Sequence, residues 1–316
     1  MLHYMNNAGA GLMSPSTLET ITCHLRRETE VGAYRAAQEV REQMAEFYIR
    51  AANLINADNP NEIAFMDSAS RGWNMALSGV ELRSGDCIVT LSSEFGTNLI
   101  TIFERARQVG ATVKVIQCDA TGGFSVDEVE TALKNGARIV AISHAVAHGS
   151  IVNPVVEIGK LTKRYEAIYI VDGCQAVGQI AIDVKMIQCD AYIATGRKWL
   201  RGPRGTGFLF VRQSAPLRTT QLDLTSSDLV FDKNFNVIGV DVRSDARQFE
   251  LWERNVAGML GLSCAMDECL KQNNEYDYKL ANRIRSAVVK NPKLRLIGVQ
   301  DSKSSGSDTV SVRPRP

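Results

Sequence analysis

Short apolar runs of four to six residues, separated by amphipathic stretches, set the rhythm of this 316-residue chain. Ile63–Met66, Asp86–Leu91, Thr112–Gln117, Arg138–Ser143, Ile168–Val171 and Asp190–Thr195 each read as a buried strand, bounded by turn-forming residues. Between them, helical spacing recurs near Thr97–Val109 and Val126–Lys134, from about Pro154, and in a helix carrying Trp73-Asn74-Met75-Ala76-Leu77. Strands that alternate with helices predict an α/β fold with a mostly parallel, helix-covered sheet.

The flanks differ. Residues 1–16 are rich in Asn, Gly and Pro and predict an irregular N-terminal arm. Thr17–Ala57 predicts two helices hinged at Gly32, with Arg41, Glu42 and Glu46 toward solvent and Phe47, Ile49 and Leu54 toward the core. Residues 213–249 read as polar and irregular. Helices follow near Asn255–Lys271 and Tyr276–Lys290, then a strand near Leu294–Val299. The Ser-rich tail Gln300–Pro316 reads as disordered. These boundaries divide the chain into an arm (1–16), a large domain (17–215) and a partial C-terminal small domain with its tail (216–316).

Composition narrows the partners. With 45% hydrophobic and 22% charged residues and a net charge of +1, nothing points to nucleic acid or an anionic membrane surface. No apolar run reaches the ~18 residues of a membrane span, and the start lacks the layout of a signal peptide, so a cytoplasmic protein is expected. The seven cysteines include no CxxC pair and sit mostly in apolar runs, which favours buried thiols. None of the four histidines has metal-ligand spacing, and no metal is expected.

Candidate chemistry concentrates in Tyr169–Phe210. Asp172 ends one strand and is followed by Gln175; a second strand leads through Thr195-Gly196-Arg197 into Lys198, 26 residues after the acid (198 − 172). Open α/β sheets bind ligands at the carboxyl ends of their strands. There a lysine amine and a carboxylate suit pyridoxal phosphate: the amine forms the Schiff base and the acid keeps the pyridine nitrogen protonated. Upstream, Asp67-Ser68-Ala69-Ser70-Arg71-Gly72 lies at a strand-to-helix turn, a ready anion site.

The segment resembles the class V aminotransferase family of fold-type I pyridoxal phosphate enzymes, which includes cysteine desulfurases, epimerase-like proteins and C–S lyases. That family carries D-G-x-Q-x-x-G and then [ST]-x-[HR]-K-x-x-x-G-P. This chain has Asp172-Gly173-Cys174-Gln175-Ala176-Val177-Gly178 and Thr195-Gly196-Arg197-Lys198-Trp199-Leu200-Arg201-Gly202-Pro203. The resemblance implies a homodimer acting on a small amino-acid substrate, with Lys198 as the catalytic cofactor-bearing residue. It assigns Ala69, Ser70, Arg71, Thr195 and Arg197 to the phosphate, Phe95 to the ring face, and Asp172 and Gln175 to the ring. Asn7, Ala8 and Gly9 of the arm face the substrate, with His148, Arg201, Trp252 and Arg254 as further substrate-side candidates.

Departures from the pattern shape the functional expectation. Phe95 replaces a ring-stacking histidine, so proton transfer from that position is absent. Ala147 stands where the family has an asparagine on the cofactor's phenolic oxygen. Trp252-Glu253-Arg254 replaces the G-T-x whose threonine reaches the neighbouring subunit's phosphate. No loop cysteine for a persulfide is visible, which favours β-elimination of an S-substituted cysteine by a C–S lyase. An aminotransferase or epimerase on the same scaffold is the alternative, and a non-catalytic interaction protein of this fold is the second.

Overall fold

The computed structural model describes residues 4–119, 122–147, 149, 151–272, 279–297 and 311–314. The N-terminal helical stretch forms three helices rather than two: Pro15–Val31 (α1), Ala33–Glu39 (α2) and Arg41–Leu54 (α3). Ser14 caps α1 by accepting the Thr17 N–H at 3.1 Å, with Pro15 in the first turn. Gly32, at φ 84°, ends α1. A second break at Val40, which leaves helical geometry at φ −108° and ψ 17°, separates α2 from α3. Phe47 and Leu54 are buried as expected, whereas Ile49 faces solvent on α3.

Strands and helices then alternate: β1 (Ile63–Met66), α4 (Ala69–Ser78), β2 (Cys87–Leu91), α5 (Gly96–Val109), β3 (Thr112–Ile116), α6 (Val126–Lys134), β4 (Ile139–Ser143), α7 (Val155–Arg164), β5 (Ile168–Asp172), α8 (Val184–Ile187), β6 (Ala191–Thr195) and β7 (Gly207–Val211). They build a seven-stranded sheet in the order β1-β7-β6-β5-β4-β2-β3. Strand β7 is antiparallel to both its neighbours, and the remaining pairings are parallel. The α/β architecture expected from the alternation is thus present.

Both faces of this sheet are buried, because successive strand residues point to opposite sides. In β4, Ile139 and Ala141 join the core of Trp73, Leu77 and Ile102 from α4 and α5. Val140 and Ile142 join the opposite core, with Phe47 of α3, Val129 of α6 and Ile158 of α7. Since β1 runs parallel to β6 across the antiparallel β7, the ends of β1, β2, β4, β5 and β6 converge on one edge. That edge carries Asp67, Ser92, Ser143, Asp172 and Thr195.

Beyond the sheet, the segment expected to be irregular holds a hairpin, β8 (Ser227–Phe231) and β9 (Val237–Val242). Its turn is set by Asp232, whose Oδ1 accepts the N–H groups of Asn234 and Asn236 at 2.7 and 2.9 Å. Helices α9 (Val256–Lys271) and α10 (Lys279–Lys290) follow. Strand β10 (Leu294–Ile297) pairs antiparallel with β11 (Ser311–Pro314). Residues 311–314, expected to be disordered, are therefore a strand, since backbone pairing with Leu294–Ile297 satisfies groups a free tail would leave to water. The rest of the expected tail, residues 300–310 and 315–316, lies outside the described residues.

Candidate active site

The strand ends line a cavity that opens to solvent. Its lining includes Ser68, Ala69, Ser70, Phe95, Asn98, Ser143, Asp172, Gln175, Thr195, Arg197 and Lys198. Lys198 lies in the tight loop after β6, which is closed by the Gly202 N–H on the Gly196 carbonyl at 2.8 Å. The lysine is only 8% exposed, and among the described residues its ammonium makes no hydrogen bond or ion pair. Its Nζ lies 6.0 Å from the centre of the Phe95 ring, at the outer limit of a cation–π contact. A nearly buried amine without an acceptor is costly unless a ligand uses it.

Asp172 stands at the end of β5, 7% exposed. Its Oδ1 accepts the Cys174 N–H at 2.9 Å and its Oδ2 accepts Asn98 Nδ2 at 2.7 Å. A carboxylate with two donors keeps capacity for a third. Gly173 is required next to it, because a Cβ there would fall 2.1 Å from the Tyr192 ring. In the turn after β2, Glu94 is buried and accepts the N–H groups of Phe95 and Ser143 at 2.7 and 2.5 Å, Asn98 Nδ2 at 3.0 Å, and the Ser143 hydroxyl. Burial and the adjacent Asp172 push the Glu94 carboxyl up to about 7.

The anion cradle is the start of α4. Ser68 is the N-cap, its Oγ accepting the Arg71 N–H at 3.2 Å. The N–H groups of Ala69 and Ser70 at the same terminus have no helix carbonyl to bond and adjoin the cavity. Arg71 itself turns away: its guanidinium donates to Asp67 at 3.3 Å and Gln221 at 3.0 Å, and it does not line the cavity. An i,i+4 carboxylate on its own helix start captures the side chain.

The N-terminal arm crosses the site through backbone atoms. Gln175 Nε2 donates to the Ala8 carbonyl at 3.1 Å, Arg197 Nη1 to the Gly9 carbonyl, and the Gly11 N–H to the Arg197 carbonyl at 2.7 Å. A Cβ on Gly11 would sit 2.5 Å from the Lys198 carbonyl oxygen, so only glycine permits this approach. Asn7, Ala8 and Gly9 thus lie over Gln175 and Arg197, outside the immediate lining.

Of the remaining substrate-side candidates, Arg201, Arg254 and Trp252 do not line the cavity. Arg201 holds the arm instead, with Nε donating to the Leu12 carbonyl at 2.7 Å. Arg254 pairs with the buried Glu250 at 2.8 Å and donates to Thr225 at 2.8 Å, which uses its charge structurally. Trp252 is exposed and tilted against Tyr34 at 5.9 Å, away from the cavity. His148 lies outside the described residues. Ala147 does line the cavity, so that position offers no side-chain amide.

Sequence reasoning gave no site role to Glu94, Asn98, Ser143, Cys174, Gly205 and Thr206, all at or beside the lining. Among the described cysteines only Cys174 lines the cavity, and burial and Asp172 push its thiol well up. The residues present fit pyridoxal phosphate: an unpaired buried amine, a carboxylate with a free acceptor site, an aromatic face and a helix N-terminus.

The chain has relatives on record. A probable cysteine desulfurase of Methanothermobacter thermautotrophicus is 28% identical over 75% of this chain and 58% of its own length. One of Pyrococcus abyssi is 27% identical, covering 83% of this chain and 66% of its own length. A cysteine desulfurase of Escherichia fergusonii is 28% identical, over 85% and 68%. The chain therefore spans about three-fifths to two-thirds of the length of these relatives. Among solved structures, the apo cysteine desulfurase of Thermococcus onnurineus superposes with TM-score 0.86 at 22% identity, covering 98% of this chain and 78% of that one. A cystine C–S lyase in complex with its product cysteine persulfide gives 0.84 at 22%, over 96% and 82%. At such identity the superpositions speak for the fold, that of pyridoxal phosphate-dependent enzymes. The model of the class V aminotransferases matches residues 3–314, and to that family the chain belongs.

Proposed function

We propose that this protein is a pyridoxal phosphate-dependent C–S lyase that releases sulfur from an S-substituted cysteine by β-elimination. The observation that carries the reading is Lys198: a nearly buried amine with no acceptor among the described residues, in a cavity shared with Asp172 and Phe95. Bound there, the cofactor supplies an electron sink for charge at the substrate Cα. Lys198 would hold the cofactor and would serve as the base that moves the substrate Cα proton. Asp172 would offer a carboxylate oxygen to the ring nitrogen. Phe95 would cover the ring and exclude water, and the free N–H groups of α4 would take the phosphate.

With a sulfur substituent on Cβ, the Cα–H electrons form a Cα=Cβ bond as the Cβ–S bond breaks, and sulfur leaves as a thiolate. The enamine released hydrolyses to pyruvate and ammonia. A persulfide on Cys174 is disfavoured, because desolvation and the nearby Asp172 hold that half-buried thiol protonated. The names of the curated relatives support a sulfur-containing amino acid as the substrate. A second copy of the chain is part of this reading; the half-exposed apolar face of the β8–β9 hairpin supports it.

The test is to load the protein with cofactor and supply S-alkyl cysteines. Pyruvate and thiol in equal amounts are expected, and Lys198→Ala should lose both the cofactor's visible absorption band and all turnover. Transfer of the amino group to the cofactor in place of pyruvate release would make it an aminotransferase. Racemised substrate would make it an epimerase. A colourless, inert protein would leave only a scaffold.

A further inference from the structure

Beside Asp172 stands a second buried carboxyl that the proposed reaction does not use. Glu94, at the end of the turn after β2, is 7% exposed and lies next to an acid of the same sign. The link between them is Asn98, in the first turn of α5 and itself 2% exposed. Its Nδ2 donates to Glu94 Oε1 at 3.0 Å and to Asp172 Oδ2 at 2.7 Å, so one amide nitrogen bridges both carboxyls.

The bridge has a direction. A side-chain amide is nearly the same shape either way round, and only its surroundings decide which end faces Asp172. Turned over, Asn98 would press its carbonyl oxygen against Asp172 Oδ2. Glu94 Oε1 takes the second amide hydrogen and so opposes that flip. Glu94 in turn is clamped by backbone from two elements, the Phe95 N–H at the start of α5 and the Ser143 N–H at the end of β4. Ser143 lies opposite Asp172 in the β4–β5 register. In its ionised form Glu94 accepts from Phe95, Asn98 and both the N–H and hydroxyl of Ser143, an arrangement that a side-chain amide does not reproduce. A glutamine there would set an NH₂ against donors.

We propose that Glu94 is a positioning residue that acts through Asn98 to hold Asp172 as an acceptor aimed at the cofactor's ring nitrogen. This rests on the reading of Asp172 given above. A capping or packing role would stabilise α5 equally whatever occupied the cavity. The positioning role instead makes the cavity discriminate between a ring with a nitrogen at that place and one without.

The experiment measures dissociation constants for pyridoxal phosphate and for its 1-deaza analogue, in which carbon replaces the ring nitrogen. Wild type, Asp172→Ala, Glu94→Gln and Asn98→Ala are compared by absorption titration, with the melting temperature of each apoprotein as a control. Wild type should prefer the natural cofactor, and Asp172→Ala should abolish that preference. Glu94→Gln and Asn98→Ala should each reduce it by about tenfold, the scale of one hydrogen bond to a charged group. A wild-type preference retained by both variants would overturn the inference while leaving the reading of Asp172 intact. No preference in wild type, or an unchanged one in Asp172→Ala, would remove the reading of Asp172 and the inference with it. If Glu94→Gln does not fold, Asn98→Ala decides, because it removes the bridge and leaves the backbone clamps on Glu94 in place.

Discussion

At the scale of single residues, the buried Glu94 makes folding pH-dependent in a direction unusual for an acid. Its native carboxyl, pushed up to about 7, binds a proton more tightly than the unfolded chain does. Between about pH 4.5 and 7 the native state therefore holds more protons, and stability falls as pH rises. The loss amounts to at most about 3 kcal/mol, from 1.36 kcal/mol per pH unit across that window. His144, buried against Tyr192 and pushed down to about 4, has the opposite slope: stability rises as pH rises from about 4 to 6.5. Glu94→Gln removes only the first effect. The difference in denaturation free energy between wild type and Glu94→Gln should shift against wild type as pH climbs from 4.5 to 7. Parallel curves would show that Glu94 does not titrate in this range. Lys198 and Asp172 were legible in the sequence because a strand, a spacing and neighbouring glycines marked them together. Glu94 and Asn98 were not, since an acid and an amide four residues apart at a helix start usually serve only as a cap. Their meaning depends on the strand that β4 and β5 bring alongside.

At the scale of elements, the site is made of chain ends, and two of those ends can be tested separately. Ser68 closes the first turn of α4, and its replacement by alanine should cost about 1 kcal/mol of stability. Freed from the cap, the terminus should also bind cofactor phosphate more weakly, read as a rise in the cofactor dissociation constant. Unchanged affinity would place the phosphate elsewhere. The arm is held differently, by Arg197 on the Gly9 carbonyl and Arg201 on the Leu12 carbonyl. Arg197→Ala should increase hydrogen exchange at residues 8–11 while exchange in β5 and β6 stays as in wild type. Strands buried on both faces were readable as apolar runs, and the helices between them by their spacing. The break at Val40 was not, because no glycine or proline marks it. The β8–β9 hairpin was missed for a related reason: its apolar residues sit among Asp, Ser and Asn, and none faces a core that would enforce a two-residue period. The pairing of Arg71 with Asp67 and of Arg254 with Glu250 was not legible, because charge alone does not reveal its partner.

At the scale of the whole molecule, that same hairpin is the feature the single chain leaves unexplained. The register pairs Leu229 with Val240 and Phe231 with Val237, so one face carries four large apolar side chains, each about half exposed. The hairpin packs chiefly on itself, and its exposed strands present unpaired backbone as well as apolar surface. Its root lies close to the cradle, where Gln221 accepts from Arg71 and Thr225 from Arg254. A partner copy seated on the hairpin would therefore stand near the start of α4. Light scattering at micromolar concentration should give twice the chain mass of 34.7 kDa. The substitution Leu229→Asp places a charge within that apolar face and should yield monomers. Because the hairpin contributes little to either core, the variant's melting temperature should fall only as far as the lost partner requires. Its cofactor affinity should fall too if the partner closes the cavity, and remain that of wild type if the hairpin serves assembly alone. A wild-type protein that is monomeric at these concentrations would overturn the dimer and leave the apolar face to a different partner.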